Sequence, residues 1–220
     1  MTTDLLPDAL REAVGDGLQP VRPLSPAWQR TLGVATIATA VAAIAIGTVA
    51  LRFDLGQIPL WLSWGCSALE LLMGVFIVGL ALREAVPGSA TPTGAVWTAL
   101  VTGLVLHIVV GLATRMHTPG MQAGSDSLAP GIGCMTHDAV RVLPIFVVTA
   151  WLLFRALPLR APIAGLLGGA GLAMAGDAIT HLLCPMSDMR HVLVWHTGAI
   201  LGFMALGWAV GAVWQRIRWR

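Results

Sequence analysis

PIAGLLGGAGLAMAGDAITHLL, residues 162–183, carries a single charged side chain, Asp177, in a run dominated by Gly, Ala, Leu, Ile and Met. A helix rises 1.5 Å per residue, so roughly 20 apolar residues cross the ~30 Å hydrocarbon core of a bilayer. Gly165, Gly168, Gly169, Gly171 and Gly176 suit a helix that its neighbours approach closely. No strand precedes them, which argues against a phosphate-binding loop. Five further runs of the same kind lie at 31–51, 58–82, 94–114, 134–154 and 192–214. The expected fold is therefore an all-α membrane protein, a bundle of six transmembrane helices.

The composition agrees, with 56% hydrophobic residues, 11% charged residues and a mean hydropathy of +0.79. A water-soluble domain of this size would expose too much apolar surface to stay dispersed. All 13 basic residues are arginine. If the N-terminus is cytoplasmic, Arg11, Arg22, Arg30, Arg83, Arg155, Arg160, Arg216, Arg218 and Arg220 share its side, against Arg52, Arg115 and Arg190 on the other. The positive-inside rule then places both the N-terminus and the C-terminus in the cytoplasm. Trp28, Trp61, Trp97, Trp214 and Trp219 fall near span ends, where indole rings anchor helices at the interface.

Three segments follow from this reading: a cytoplasmic tail (1–30), a transmembrane sensor domain (31–215) and a basic end (216–220). In the tail, Asp4, Asp8, Glu12 and Asp16 break any signal-peptide core. A short helix over about 3–14 would gather Leu5, Leu6, Ala9, Leu10, Ala13 and Val14 on one broad face. Gly15 and Gly17 end it, and Pro20, Pro23 and Pro26 make a stiff tether to the first span. An apolar face with no core to join points to helix-in-groove docking on a cytoplasmic protein. Its acidic polar face disfavours the alternative, a helix lying on anionic lipid.

The chemistry gathers on the opposite side of the membrane. Cys134 and His137 open the fourth run, His181 and Cys184 close the fifth, and His191 and His196 begin the sixth. Met116, Met121, Met135, Met186 and Met189 lie on the same side, beside His117. Thiolate, thioether and imidazole together suit Cu(I), or another soft metal such as Zn or Cd, better than Mg or Ca. The two thiols also permit a disulfide in an oxidising compartment, and reversible thiol chemistry would sense oxidants. Cys66 reads as a small core residue, and Glu70, one turn deeper, either pairs with His107 or stays neutral and hydrogen-bonded.

Helical spacing refines the expectation. Cys134, Asp138 and Arg141 share one face, and so do Asp177, His181 and Cys184. With the two helices antiparallel and the cysteines level, Arg141 meets Asp177 about 10 Å deep, and an intramembrane ion pair is expected there.

The Pro-Val-Arg-Pro-Leu of 20–24, Gly133-Cys134 with Leu143-Pro144 downstream, and Leu183-Cys184-Pro185 followed by Val194-Trp195 resemble the NrsF-type transmembrane anti-sigma factors. The resemblance covers nearly the whole chain and is most specific over 181–195 and at Arg218-Trp219. It implies a bacterial inner-membrane regulator, not an enzyme, that holds an extracytoplasmic-function sigma factor at its cytoplasmic face and releases it under stress such as heavy metals. Cys134 and Cys184 match the family's two outward cysteines, and residues 3–24 match the segment that holds the sigma factor. His196 stands where an aromatic residue is common, while His137 and His191 look like local additions. The partners implied are the sigma factor and the lipid bilayer, with no direct nucleic-acid contact. No cofactor is obligatory, Cu(I) or another soft metal ion is an optional ligand, and a homo-oligomer is left open. Two other classes compete: a soft-metal transporter lined by Glu70, His107, Arg141 and Asp177, and a membrane thiol oxidoreductase. The lack of any Cys-x-x-Cys pair argues against the latter.

Overall fold

Among the described residues, six helices account for nearly all the regular structure: α1 (Ala27–Thr48), α2 (Trp61–Glu84), α3 (Thr93–His117), α4 (Leu128–Phe154), α5 (Ala161–Leu183) and α6 (Met189–Arg218). All are long and apolar enough to cross a membrane, and no strand occurs among the described residues. The chain is a multi-pass membrane protein. The computed structural model describes residues 8, 12, 15, 23–118, 128–218 and 220. The expected docking residues Leu5, Leu6, Ala9, Leu10 and Ala13 lie outside the described residues, as does Met121.

Proline and aspartate set several helix starts. Pro26 and Pro92 stand at the N-caps of α1 and α3, and Pro162 lies in the first turn of α5, where a missing N–H costs nothing. Asp188 caps α6, accepting hydrogen bonds from the amides of Arg190 (2.9 Å) and His191 (3.3 Å). Burial pushes the Asp188 carboxyl up. The His191 amide, the Arg115 guanidinium (2.7 Å) and the Arg190 amide outweigh it and hold the group below the usual carboxylate range. Both α2 and α6 open on a wider turn, over Trp61–Gly65 and Val192–His196, a feature that often marks functional positions.

Helix α5 is the axis of the bundle. Of its most apolar 18-residue window, 89% is buried, against 22–39% in the other five helices. Only small residues allow one helix to be enclosed on all sides. Gly171 lies against the backbone of Gly74 on α2, and Gly176 against Val142 and Asp138 on α4. Gly165, Gly169 and Ala161 meet the backbone of Gly207, Phe203 and Gly211 on α6. The other helices turn large apolar side chains outward, among them Leu72, Phe76, Val105, Val147, Trp151 and Trp208, as lipid-facing surfaces do.

Arginines tie the two ends of the bundle. On the face opposite the chain ends, Arg52 binds both oxygens of Asp54 (2.6 and 2.7 Å) and donates to Ser187 Oγ (2.9 Å). It also donates to the carbonyls of His181 and Pro185 (each 3.3 Å), while its own amide donates to Leu182 O. The α1–α2 connection thus satisfies carbonyls left orphaned at the end of α5. On the other face, Arg160 forks onto Glu84 (2.7 and 2.8 Å), and Phe154 stacks on Trp214 with ring centroids 5.2 Å apart. Arg30 donates to Leu82 O (3.1 Å) and Leu152 O (3.5 Å), so the start of α1 rests on the ends of α2 and α4.

Candidate functional site

The cysteines of α4 and of the α5–α6 connection meet on the face that carries Arg52. Cys134 Sγ and Cys184 Sγ are 3.2 Å apart, and Cys184 Sγ is 3.6 Å from His191 Nε2. One donor atom each from Cys134, Cys184, His191 and His196 falls within a common 4.8 Å. Cys184, His191 and His196 are buried and Cys134 is half-buried. The hydrogen bond to Cys134, together with burial, pushes the Cys184 thiol up.

Each position has a structural cause. Helix α4 begins at Leu128 rather than at the expected Cys134, so Cys134 sits within the helix and not at its opening. Trp195 lies directly over Gly131, where any Cβ would collide with the indole, and so roofs the helix beside Cys134. Asp177 Oδ1 accepts from His196 Nδ1 at 2.6 Å, which turns the ring and leaves Nε2 without a hydrogen-bond partner. A carboxylate behind an imidazole is the usual way to orient a histidine toward a metal. Rings of His191 and His196 pack edge to face, with centroids 5.2 Å apart.

The expected Arg141–Asp177 ion pair is not formed. Arg141 Nη1 donates to Thr180 Oγ1 (3.2 Å), and Thr180 in turn donates to Asp138 Oδ1 (3.2 Å). Asp177 instead lies between His196 and His107, with His107 Nδ1 2.7 Å from its Oδ2. The face of α5 that meets α4 runs Gly176, Thr180, Cys184; Asp177 and His181 each stand one residue, about 100°, around the helix. An Arg141→Gln substitution should accordingly cost only about 0.6–1 kcal/mol in an unfolding titration of the purified protein, the scale of a single interhelical hydrogen bond in a membrane. A loss of several kcal/mol would mean that the charge is paired.

Other residues separate from the group. His181 faces α2 and α3, bound to Ser67 Oγ and Thr114 Oγ1, each at 2.9 Å. His137 is exposed on α4. Met135 and Met186 border the site, Met135 in a pocket with Cys134 and His196, and Met186 in a cavity with Cys184. Ser67, Thr114, Thr180 and Thr197 complete the polar network and carry no sequence signal, since lone hydroxyls in apolar runs commonly bond their own helix.

Two thiols and two imidazoles on three elements form a donor set for a soft cation. Tetrahedral ligation with metal–sulfur bonds near 2.3 Å requires sulfurs about 3.7 Å apart, and a disulfide requires about 2.05 Å. The observed 3.2 Å lies between, and both end states are reachable by small shifts.

Comparison with curated proteins and with solved structures finds no match. The family profile described as negative regulator of sigma F matches residues 15–219. That span takes in all six helices, both cysteines and residues 15–24 of the tail. The chain therefore belongs to the NrsF family, whose members are negative regulators of a sigma factor.

Proposed function

We propose that this protein is a bacterial inner-membrane anti-sigma factor whose non-cytoplasmic face senses soft metals or oxidants through Cys134, Cys184, His191 and His196. The observation that carries the reading is the 3.2 Å approach of two thiols from different helices, with two imidazoles beside them. The arginine distribution supports the orientation: nine lie on the side of the chain ends and three on the side of the cysteines. The sensor domain is the six-helix bundle, and the tail, residues 1–30, docks an extracytoplasmic-function sigma factor through Leu5, Leu6, Ala9, Leu10 and Ala13.

Oxidation joins Sγ to Sγ as two electrons and two protons pass to the oxidant; a soft metal instead displaces the thiol protons and holds the sulfurs apart. Either event changes the spacing of α4 against α5 at one end. At the other end of α4, Leu152 O accepts from Arg30, the last residue of the tail, in the first turn of α1. A shift of α4 is thus felt where the tail enters the membrane, and sigma release follows from the altered seat of Arg30. No transport path is favoured, because Arg141 stands apart from Glu70, His107 and Asp177.

The test is capture of sigma factors from host cytoplasm by the intact membrane protein and by a form lacking residues 1–24. Specific capture that falls at least tenfold on deletion is expected. Capture of equal strength by both forms would overturn the assignment of the tail.

A further inference from the structure

Three ionisable side chains meet inside the bundle, at a cavity that Cys184 and His196 also line: Glu70 of α2, His107 of α3 and Asp177 of α5. They are 1%, 3% and 4% exposed, and their donor atoms lie within 4.8 Å of one another. His107 Nδ1 is 2.7 Å from Asp177 Oδ2 and 3.6 Å from Glu70 Oε1. Neither oxygen of Glu70 has a hydrogen-bond partner among the described residues, although both are buried. An unsatisfied buried carboxylate is costly, and protonation removes the charge but leaves an O–H that finds no acceptor. The nearby Arg52 is committed to Asp54 and Ser187.

The geometry points to a second metal site, formed by Glu70, His107 and Asp177, that takes a divalent first-row cation such as Zn(II) or Mn(II). Two carboxylates and a neutral imidazole balance a double positive charge. Oxygen and nitrogen donors without sulfur select a harder ion than the thiol group does. The residues line a cavity of about 30 Å³, enough for a water molecule as a further ligand. Tetrahedral donors bound at 2.0–2.2 Å stand about 3.3–3.6 Å apart, so assembling the set opens the 2.7 Å His107–Asp177 contact slightly and closes the widest pair by at most about 1.5 Å. His107 Nε2, 3.1 Å from Thr197 Oγ1, then donates its N–H there, as metal-bound histidines do to a second partner.

Asp177 belongs to both sites, with Oδ2 toward His107 and Oδ1 on His196. A cation held by Oδ2 fixes the carboxylate that orients His196, and thereby prepares the thiol group for its own ligand. This coupling rests on the metal-sensing reading above; the site itself does not.

The experiment is a Co(II) titration of the full-length protein in detergent, followed by visible absorption. The Cys134→Ser, Cys184→Ser protein should bind about one equivalent with weak ligand-field bands and no thiolate-to-cobalt charge-transfer band. In the wild-type background Glu70→Gln should reduce the stoichiometry from about two to about one while leaving the charge-transfer band intact. His107→Gln should do the same and serves as the second variant. Absence of Co(II) binding in the Cys134→Ser, Cys184→Ser protein, or stoichiometry indifferent to both substitutions, overturns the proposal. The charge-transfer band reads the thiol group separately, so failure of either site is seen without the other.

Discussion

Cells carrying the Cys134→Ser, Cys184→Ser protein should keep sigma-dependent transcription at its uninduced level when challenged with cadmium, copper or peroxide. In the wild type, ligation or oxidation that favours one packing by ~2–3 kcal/mol shifts the sigma-bound population by roughly 30-fold to over 100-fold. The two thiols supply the bond that forms on oxidation and the two softest ligands for a metal, so their removal abolishes both inputs. Histidine variants separate them: His191→Ala should weaken the metal response and spare the oxidant response, since a disulfide needs only the sulfurs. A transcriptional reporter checks this, with the protein level followed by immunoblot. A double-serine strain that still responds would remove Cys134 and Cys184 from signalling.

A comparable loss, of stability rather than signalling, is expected from Gly169→Val. A Cβ at Gly169 meets the carbonyl of Phe203 and the Cα of Met204, and the same contact recurs where Gly165 and Gly207 face each other. These obstacles are backbone atoms, which cannot rotate aside, so the α5–α6 seam must open. Overpacking of a tight core costs 1–3 kcal/mol even where side chains can move, and about 3 kcal/mol or more is expected here. Gly202→Ala is the control. Nothing lies within 4 Å of its Cβ position, and replacing glycine in a helix with alanine should leave stability unchanged or raise it by up to about 1 kcal/mol. Unfolding of the purified proteins in detergent reads both, and equal stability of the two variants would contradict the seam. Parting α6 from α5 also carries His196 away from Asp177, so metal binding should fall with stability.

The site was legible in part. Cys134, in the second turn of α4, and Cys184, just past the end of α5, belong to adjacent antiparallel helices, and sequence spacing alone brings them to one level; in the structure they touch. The Glu70–His107 neighbourhood was legible for a different reason, that ionisable groups in apolar runs must find each other. Asp177 was not. An amphipathic helix advertises which face is buried, but α5 is apolar and small all round, so nothing in its pattern states its rotation. The rotation is decided by where Gly74, Val142 and Gly207 press against it, and that places Gly176 and Thr180, not Asp177, toward Arg141.

By itself the sequence determined the number of spans, their all-helical nature and the convergence of cysteine and histidine on one face, because hydrocarbon thickness and backbone satisfaction leave no other solution for such runs. The family resemblance was also legible there, in motifs that hold specific loop and helix ends. Tertiary structure decided the azimuth of every helix around the central α5, and with it the partners of Asp177, the roof of Trp195 over Gly131 and the Arg52 clasp. Those depend on close backbone approach between segments far apart in the chain, which periodicity along one segment does not encode.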